Sequence, residues 1–277
     1  MSLTNFTEFA SSVIDIWFDK PSFSGANCKM LAYPQTSNYS TVGTAFDYLL
    51  RIKLYLANYD KLQQLHTKDK TIVRKGFINS FPMVAEHASV TNKRDDFINN
   101  FKERLATCVR KKNVDINCFI KDCIILAKLE SVYRSGLDFP DSIIFSIDDG
   151  DISDLALLIA VIDDKMFNVK NHLYLNPGFG KSSKEIGGAD GDFIIDGTLV
   201  DIKVTKELKF RRDYFRQLCG YWWLDQRNKE KYGFTKLAIY FARYGYLFTF
   251  PVSSLIAKHN KTLAIEDLDV VLEEYNQ

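Results

Sequence analysis

Long apolar runs are missing from the sequence. No stretch reaches the about 18 residues that a membrane-spanning helix needs. The first residues, MSLTNFTEFASSVIDIW, also lack the basic segment and apolar core of an export signal. We therefore expect a soluble, unexported protein of the cytoplasm that has no membrane partner.

Paired cysteines are missing as well. The chain has five cysteines, an odd number, and no two of them are spaced as CxxC. They are Cys28, Cys108, Cys118, Cys123 and Cys219. Disulfide frameworks and zinc sites use such pairs, so neither is expected here, and the thiols are predicted to be reduced and mostly buried.

Neither sign of charge dominates, since the net charge is +1 over 277 residues. A hydrophobic content of 46% is that of a globular chain with one large domain or two smaller ones. Basic residues are nevertheless concentrated locally: residues 201–236 carry ten Lys or Arg against five Asp or Glu, and residues 101–112 carry five against one. Such patches are typical of a groove for a polyanion. For 101–112 a solvated helix face is an equal alternative.

Hydrophobic periodicity divides the chain into two parts. Apolar residues at spacings of three and four predict helices over 5–18, 44–65, 69–88, 94–111, 115–135, 154–167 and 213–231. Short strands are predicted over 172–175, 189–195, 198–204, 235–242 and 246–251. The segment 136–152 is rich in Gly, Pro and Asp and is the predicted boundary. We therefore expect a helical region over 1–150 and an α/β (α+β) core over 151–277.

The stretch GGADGDFIIDGTLVDIKV contains a predicted β-hairpin. Asp196-Gly197 lies between two apolar runs, and this dipeptide favours a two-residue type I′ turn. With that turn, opposed residues have numbers that sum to 393, so Asp192 faces Asp201 and Asp190 faces Lys203. Alternation then places these four side chains on one face. The opposite face is wholly apolar, which suits packing against a helix: Phe193, Ile195, Val200, Ile202 and Val204.

Two opposed carboxylates need a partner charge. Directly opposed side chains have Cβ atoms about 5 Å apart, so Asp192 and Asp201 repel each other unless a cation or a proton lies between them. Mg²⁺ is held by a few carboxylate oxygens together with water and phosphate, which makes the pair a candidate metal site. The alternative is an ordinary hairpin whose solvated face is acidic.

A second motif follows the hairpin. Asp192-x₈-Asp201-x-Lys203 precedes RQLCGYW, in which Gln217 and Tyr221 are four residues apart and share one face of a helix. Over residues 154–252 the sequence resembles the PD-(D/E)XK nuclease superfamily, in its RecB-like branch with a trailing Gln-x-x-x-Tyr. The resemblance implies a restriction-endonuclease-like core, with a mixed central sheet flanked by helices and preceded by the mostly α-helical half.

The resemblance also implies roles for individual residues. Asp192 and Asp201 become metal-binding carboxylates for Mg²⁺ or Mn²⁺, with Asp190 as the alternative first ligand. Lys203 becomes the residue that orients or activates the attacking water and stabilises charge on the phosphate. Gln217 and Tyr221 become residues that hold the site or the nucleic-acid strand, and both are counted with the catalytic set.

The sequence departs from the family pattern at one acidic position. The predicted helix 154–167 has no Glu, which leaves Asp154, Asp163 or the more distant Glu130 as the upstream metal ligand. For Glu130 an exposed helix position is the alternative. Iron–sulfur members of the branch carry cysteines after the Gln-x-x-x-Tyr helix, and here none follows Cys219, so no iron–sulfur cluster is expected.

Basic residues lie between the Asp-x-Lys strand and Gln217. Phosphate contact is their expected role, with a solvated helix start as the alternative. They are Lys209, Arg211, Arg212 and Arg216. Arg51 and Arg134, from the helical half, are further candidates to reach over the site.

The expected function is a metal-dependent nuclease that hydrolyses phosphodiester bonds, with DNA as the expected nucleic-acid partner. The resemblance implies DNA processing or defence in a prokaryotic cell or a phage-infected host, with a protein partner of a larger complex as a further expectation. The helical half would form a wall of the groove or dock that partner. The alternative is a catalytically silent nucleic-acid-binding or scaffold subunit built on a nuclease fold.

Overall fold

The computed structural model describes residues 2–25, 27–64, 91–109, 114–229, 231–256 and 258–277. In this part of the chain the α-helices are α1 (Leu3–Phe9), α2 (Ser11–Trp17), α3 (Tyr39–Gln64), α4 (Asn92–Cys108), α5 (Ile120–Ser135), α6 (Asp141–Ile144), α7 (Asp149–Ala160), α8 (Gly180–Glu185), α9 (Arg212–Arg227) and α10 (Lys261–Tyr275). The predicted helix 69–88 lies outside the described residues.

Five strands form one mixed sheet, as the predicted α/β class requires. The strands are β1 (Leu173–Leu175), β2 (Phe193–Ile195), β3 (Thr198–Lys203), β4 (Lys236–Phe241) and β5 (Tyr246–Pro251). Their order in the sheet is the order of the sequence, and every neighbouring pair is antiparallel except β3 and β4, which are parallel. Helix α9 makes the connection between these two parallel strands, as a parallel pair requires.

Three element predictions are corrected by the structure. The helix predicted over 5–18 is two helices, α1 and α2, that meet at Ala10. The helix predicted over 154–167 begins earlier, at Asp149, where Asp148 caps it by accepting from the Gly150 N–H; its last residues form a separate 3₁₀ turn. The C-terminal helix α10 was not predicted, although its buried residues recur every four positions.

One face of the sheet packs against helices of the first half. Phe193, Val200, Ile202 and Tyr240 are buried in a cluster that includes residues of α3, α5 and α7. The predicted apolar face of the hairpin is therefore confirmed. The predicted boundary 136–152 falls between α5 and α7, which share this cluster, and the division into 1–150 and 151–277 stays a prediction.

The other face of the sheet packs against α9, α1, α2 and α10. Helix α1 crosses α9 closely at Gly220. A Cβ atom at Gly220 would lie 2.7 Å from both Leu3 Cδ1 and Thr7 Cγ2, closer than carbon atoms approach in folded proteins. Glycine at this position therefore sets how near the two helices lie.

A buried ion pair fixes α7 beside the end of β4. Arg243 donates to both carboxylate oxygens of Asp154, at 2.7 and 3.0 Å, and to the carbonyl of Ala32 at 3.3 Å. Both side chains are almost fully buried. Within the described ranges no helix is long and apolar enough to cross a membrane.

Candidate active site

The hairpin turn has the predicted geometry. Asp196 and Gly197 both have positive φ, at 46° and 75°, which a type I′ turn requires. The Asp196 carboxylate also accepts three backbone N–H groups, those of Lys170, Asn171 and His172, at 2.7 to 2.9 Å. Burial alone would raise the pKa of Asp196, but these donors outweigh it and the pKa is lowered. The turn is thereby fastened to the segment that precedes β1.

The register between β2 and β3 is the predicted one. Each of the three paired positions sums to 393, as in Phe193 opposite Val200. Asp192 directly precedes β2, and its Oδ2 accepts the Ile202 N–H of β3 at 2.5 Å. The carboxylate of Asp192 thus lies across the hairpin beside Asp201, as predicted.

The predicted pairing of Asp190 with Lys203 is wrong. Strand β2 is shorter than predicted and begins at Phe193. Asp190 instead forms an isolated antiparallel bridge with Gly178, beside the hydrogen bond from the Gly191 N–H to the carbonyl of Pro177. Asp190 still lines the same cavity as the other candidates, but at an exposed position.

Lys203 contacts both the acidic strand and α9. Its Nζ lies 2.8 Å from Asp201 Oδ2 and donates to Gln217 Oε1 at 2.9 Å. The ammonium also lies 4.9 Å from the centre of the Tyr214 ring. Burial alone would lower the pKa of Lys203, but the carboxylates of Asp201 and Asp192 outweigh it and the pKa is raised. The side chain is therefore a fixed positive charge at neutral pH.

The Gln-x-x-x-Tyr pair connects α9 to the hairpin. Gln217 Nε2 donates to the Tyr221 hydroxyl at 3.2 Å, and that hydroxyl donates to the Asp190 carbonyl at 3.0 Å. With the bond from Lys203 to Gln217, a continuous chain of hydrogen bonds leads from β3 to the segment before β2. Gln217 and Tyr221 thus link β3, which carries Asp201, to the segment that carries Asp190 and Asp192.

These side chains line one cavity of about 720 Å³. Nine of the residues named from the sequence line it: Arg51, Glu130, Arg134, Asp190, Asp192, Asp201, Lys203, Gln217 and Tyr221. The opposite wall comes from α3 and α5, and Ser2, Leu3 and Thr4 close a further side. Because the helical half contributes a wall, the cavity is built from both parts of the chain.

Asp47 of α3 is a site residue that the sequence analysis did not place, and Arg51, which was a candidate to reach over the site, lies beside it. They are four residues apart on one face of the helix and form an ion pair. Burial raises the pKa of Asp47 to about 6, against the opposing effect of Arg51. The only indication in the sequence was the i,i+4 spacing of the opposite charges, and this spacing is equally typical of an ordinary surface ion pair.

A hydrogen-bonded group from α3 and α5 completes the wall. The Tyr48 hydroxyl donates to Glu130 Oε2, and Arg134 forms an ion pair with Glu130 Oε1. Glu130 is buried, so its alternative reading as an exposed helix residue is wrong. Arg134 lines the cavity from an exposed position.

The other candidate acids lie elsewhere. Asp154 is held by Arg243, and Asp163 caps the 3₁₀ turn Asp164–Phe167 by accepting from the Lys165 N–H. Neither lines the cavity. Of the three acids considered as the upstream metal ligand, Glu130 is the one that lines the cavity.

The four basic residues before Gln217 do not line the cavity. Each instead forms an ion pair with a nearby carboxylate: Lys209 with Glu207, Arg211 with Asp213, and both Arg212 and Arg216 with Asp15. Their pairs lie at the surface, where ion pairs stabilise little and exchange readily with other anions. Nucleic-acid contact by these residues stays a prediction.

Burial raises the pKa of both acidic side chains of the hairpin, Asp192 and Asp201. Burial, then Asp47 and then Asp201, raise the pKa of Asp192 well above its ordinary value, against the Ile202 N–H. For Asp201, the raising of the pKa by burial outweighs the lowering by the Lys203 ammonium. A cation bound between the two would relieve this cost.

The donor set fits a hard divalent cation that keeps several waters. In the described ranges no three His, Cys, Asp or Glu side chains form a group that could hold a metal alone. Within those ranges Asp201 Oδ2, though paired with Lys203, has no hydrogen bond, and buried Asp47 Oδ1 has none either. Mg²⁺ characteristically takes one or two carboxylates and completes its shell with water and substrate phosphate. Asp192 and Asp201 meet that requirement.

Comparison of the chain with protein-family models, with curated proteins and with solved structures finds no significant match in any of the three. The functional argument therefore depends on the residues and the geometry of the cavity.

Proposed function

We propose that this protein is a metal-dependent nuclease of the PD-(D/E)XK type, with a RecB-like arrangement on a restriction-endonuclease-like core. The observation that carries the proposal is the register of the hairpin, which brings Asp192 beside Asp201 with the Lys203 ammonium 2.8 Å from Asp201 Oδ2. Two carboxylates and one fixed cation in a single cavity are the groups that phosphodiester hydrolysis needs.

The chain's own residues have separable roles in this proposal. Asp192 and Asp201 bind the Mg²⁺ or Mn²⁺, which supplies polarisation of the phosphoryl oxygen and a lowered pKa of water when bound. Lys203, cationic at neutral pH, stabilises the negative charge that develops on the phosphate. Gln217 accepts from Lys203 and thereby directs the ammonium, and Tyr221 anchors Gln217.

The expected substrate is DNA, in prokaryotic or phage-related DNA processing or defence, and a protein partner in a larger complex is part of the same proposal. The test is incubation of purified protein with plasmid DNA, single-stranded DNA and RNA in Mg²⁺, Mn²⁺ or EDTA. Cleavage that needs the metal and is lost in Asp201→Ala supports the proposal. Equal cleavage by wild type and Asp201→Ala would contradict it.

One observation favours the second candidate, a silent nucleic-acid-binding or scaffold subunit. The described residues offer no group of three side chains for a metal, and the Lys203 ammonium is already engaged by Asp201 and Gln217. That candidate predicts binding of nucleic acid without cleavage in any metal. The same incubation, followed by a gel-shift assay, separates the two.

A further inference from the structure

A group of tyrosines surrounds one lysine just beyond the acidic strand. Lys206 Nζ donates to the Tyr39 hydroxyl at 2.5 Å and lies 4.4 Å from the centre of the Tyr39 ring. The Lys206 carbonyl accepts from the Tyr244 hydroxyl at 2.5 Å. The N–H groups of Leu31 and Ala32 donate to the carbonyl of Arg243 at 2.8 and 3.0 Å, which brings Tyr33 next to the segment that carries Tyr244. We call Tyr33, Tyr39, Lys206 and Tyr244 the tyrosine–lysine patch.

The patch is open to solvent. Tyr33 is 64% exposed and Tyr39 is 44% exposed, and both are among the large side chains that the fold leaves uncovered. Lys206 is exposed as well, and within the described ranges it has no carboxylate partner. The patch therefore offers aromatic surface together with a positive charge, and the neighbouring carboxylate of Glu207 pairs with Lys209.

Two elements, β3 and α3, place the patch close to the candidate active site. Lys206 follows Lys203 by three residues, which limits their separation to about 10 Å. Tyr39 precedes Asp47 by eight residues on α3, about 12 Å along the helix. A polymer with its reacting group at Lys203 would therefore reach the patch with its neighbouring units.

These chemical features fit one class of ligand. Exposed aromatic rings stack on nucleobases, and a lysine beside them binds the phosphate that joins those bases. Only unpaired bases present a free face, since the bases of a duplex are stacked on each other. An apolar partner surface would leave the Lys206 charge without a counterpart.

We propose that the tyrosine–lysine patch binds the single-stranded part of a nucleic acid and feeds it to the cavity, so that an unpaired strand is the substrate of the site. This inference rests on the proposed function in taking nucleic acid as the ligand. The ring of Tyr39 stacks on a base, and Lys206 contacts a phosphate on the same strand. Tyr33 offers a second stacking surface.

The test is fluorescence anisotropy of labelled single-stranded and double-stranded oligonucleotides, as DNA and as RNA, in EDTA so that no metal-dependent cleavage occurs. We expect Tyr39→Ala to weaken single-strand binding about tenfold, within the range for losing one stacked base, and to leave duplex binding unchanged. Tyr39→Phe retains the ring and should bind as wild type does. Phe9→Ala removes an exposed aromatic ring that contacts Tyr275 instead, and serves as the matched control.

The Lys206→Met variant is tested by the salt dependence of its binding. If Lys206 contacts one phosphate, the slope of log affinity against log salt should fall by about 0.7 for a single strand. Melting temperatures of all variants near that of wild type exclude unfolding as the cause. Unchanged affinity in Tyr39→Ala, or an equal loss on duplex and single strand, would overturn the inference.

Failure of the inference and failure of the proposed function are distinguishable. A protein that cleaves nucleic acid in Mg²⁺ while its patch variants bind normally overturns the patch alone. A protein that binds single strands through the patch but cleaves nothing in any metal supports the patch and contradicts the nuclease. Absence of any nucleic-acid binding by wild type overturns the patch.

Discussion

The Lys203 ammonium lies 2.8 Å from Asp201 Oδ2 on the same strand and is held at the same time by Gln217 of α9. The two residues share one face of β3, and Asp201 together with Asp192 keeps the pKa of Lys203 raised although burial alone would lower it. A lysine in this state is a poor proton acceptor at neutral pH. Its proposed role is therefore electrostatic rather than that of a general base.

Removal of the Lys203 charge should abolish cleavage. We expect Lys203→Met to lower the rate at least about a hundredfold, because a fixed charge near the developing negative charge is lost. Lys203→Arg, which keeps the charge in a different shape, should retain part of the activity. Lys258→Met is the matched control, since Lys258 is exposed and pairs with Asp19 outside the cavity. Initial rates on a plasmid substrate, with melting curves to verify folding, measure the effect. A Lys203→Met enzyme at full rate would contradict the role.

Neutralising Asp192 should stabilise the metal-free protein. Asp192 faces like charges from Asp47 and Asp201, so we expect Asp192→Asn to gain about 1 kcal/mol in EDTA. Added Mg²⁺ should raise the melting temperature of wild type by mass action and leave the variant nearly unchanged. Asp213→Asn, at an exposed pair outside the cavity, is the control that should respond to Mg²⁺ as wild type does. Equal Mg²⁺ shifts in wild type and Asp192→Asn would place the metal elsewhere.

The turn carboxylate should stabilise the fold in a pH-dependent way. Asp196 has a lowered pKa because its three N–H donors outweigh burial, so its contribution is present above the unfolded pKa of about 3.9 and is lost as the pH falls through the folded value. Asp196→Asn retains a residue that tolerates positive φ and loses the charge. We expect a cost of about 1 kcal/mol near pH 7. Urea unfolding of both proteins from pH 7 to pH 3 should show the gap closing in acid; a gap that is constant with pH would contradict the assignment.

Breaking the buried ion pair should be costly. Arg243→Met leaves the Asp154 carboxylate buried without its cation, for which we expect a loss of about 3–5 kcal/mol. The double variant Asp154→Leu with Arg243→Met removes both charges and should recover most of that loss. Urea unfolding of the single and double variants measures the coupling. If the double variant is as unstable as Arg243→Met, packing around Ala32 rather than charge is responsible.

The hairpin and its acidic pair could be predicted because the information is local. A two-residue turn fixes the register, and alternation along each strand then decides which side chains share a face. The same reasoning failed at Asp190, because the residue bridges to Gly178, which precedes the hairpin and is not part of its pattern. Local pattern therefore extended the strand further than the structure does.

The wall of the cavity could not be predicted in the same way. Asp47 reaches Asp192 only because α3 packs on the sheet, and no spacing within either segment records that contact. Glu130 is similar: its partners Tyr48 and Arg134 become evident once α3 and α5 are packed together. The sequence identifies residues that lie on one hairpin or one helix, whereas residues that meet across elements need the fold.

Gly220 has a consequence for the lining of the cavity. Leu3 of α1 touches the space where a side chain at position 220 would be, and the same Leu3 lines the cavity together with Ser2 and Thr4. The absence of a side chain at position 220 therefore allows α1 to lie where its first residues line the cavity. A larger residue there would displace α1, and with it the three lining residues Ser2, Leu3 and Thr4, whereas Asp201 and Lys203 lie on β3.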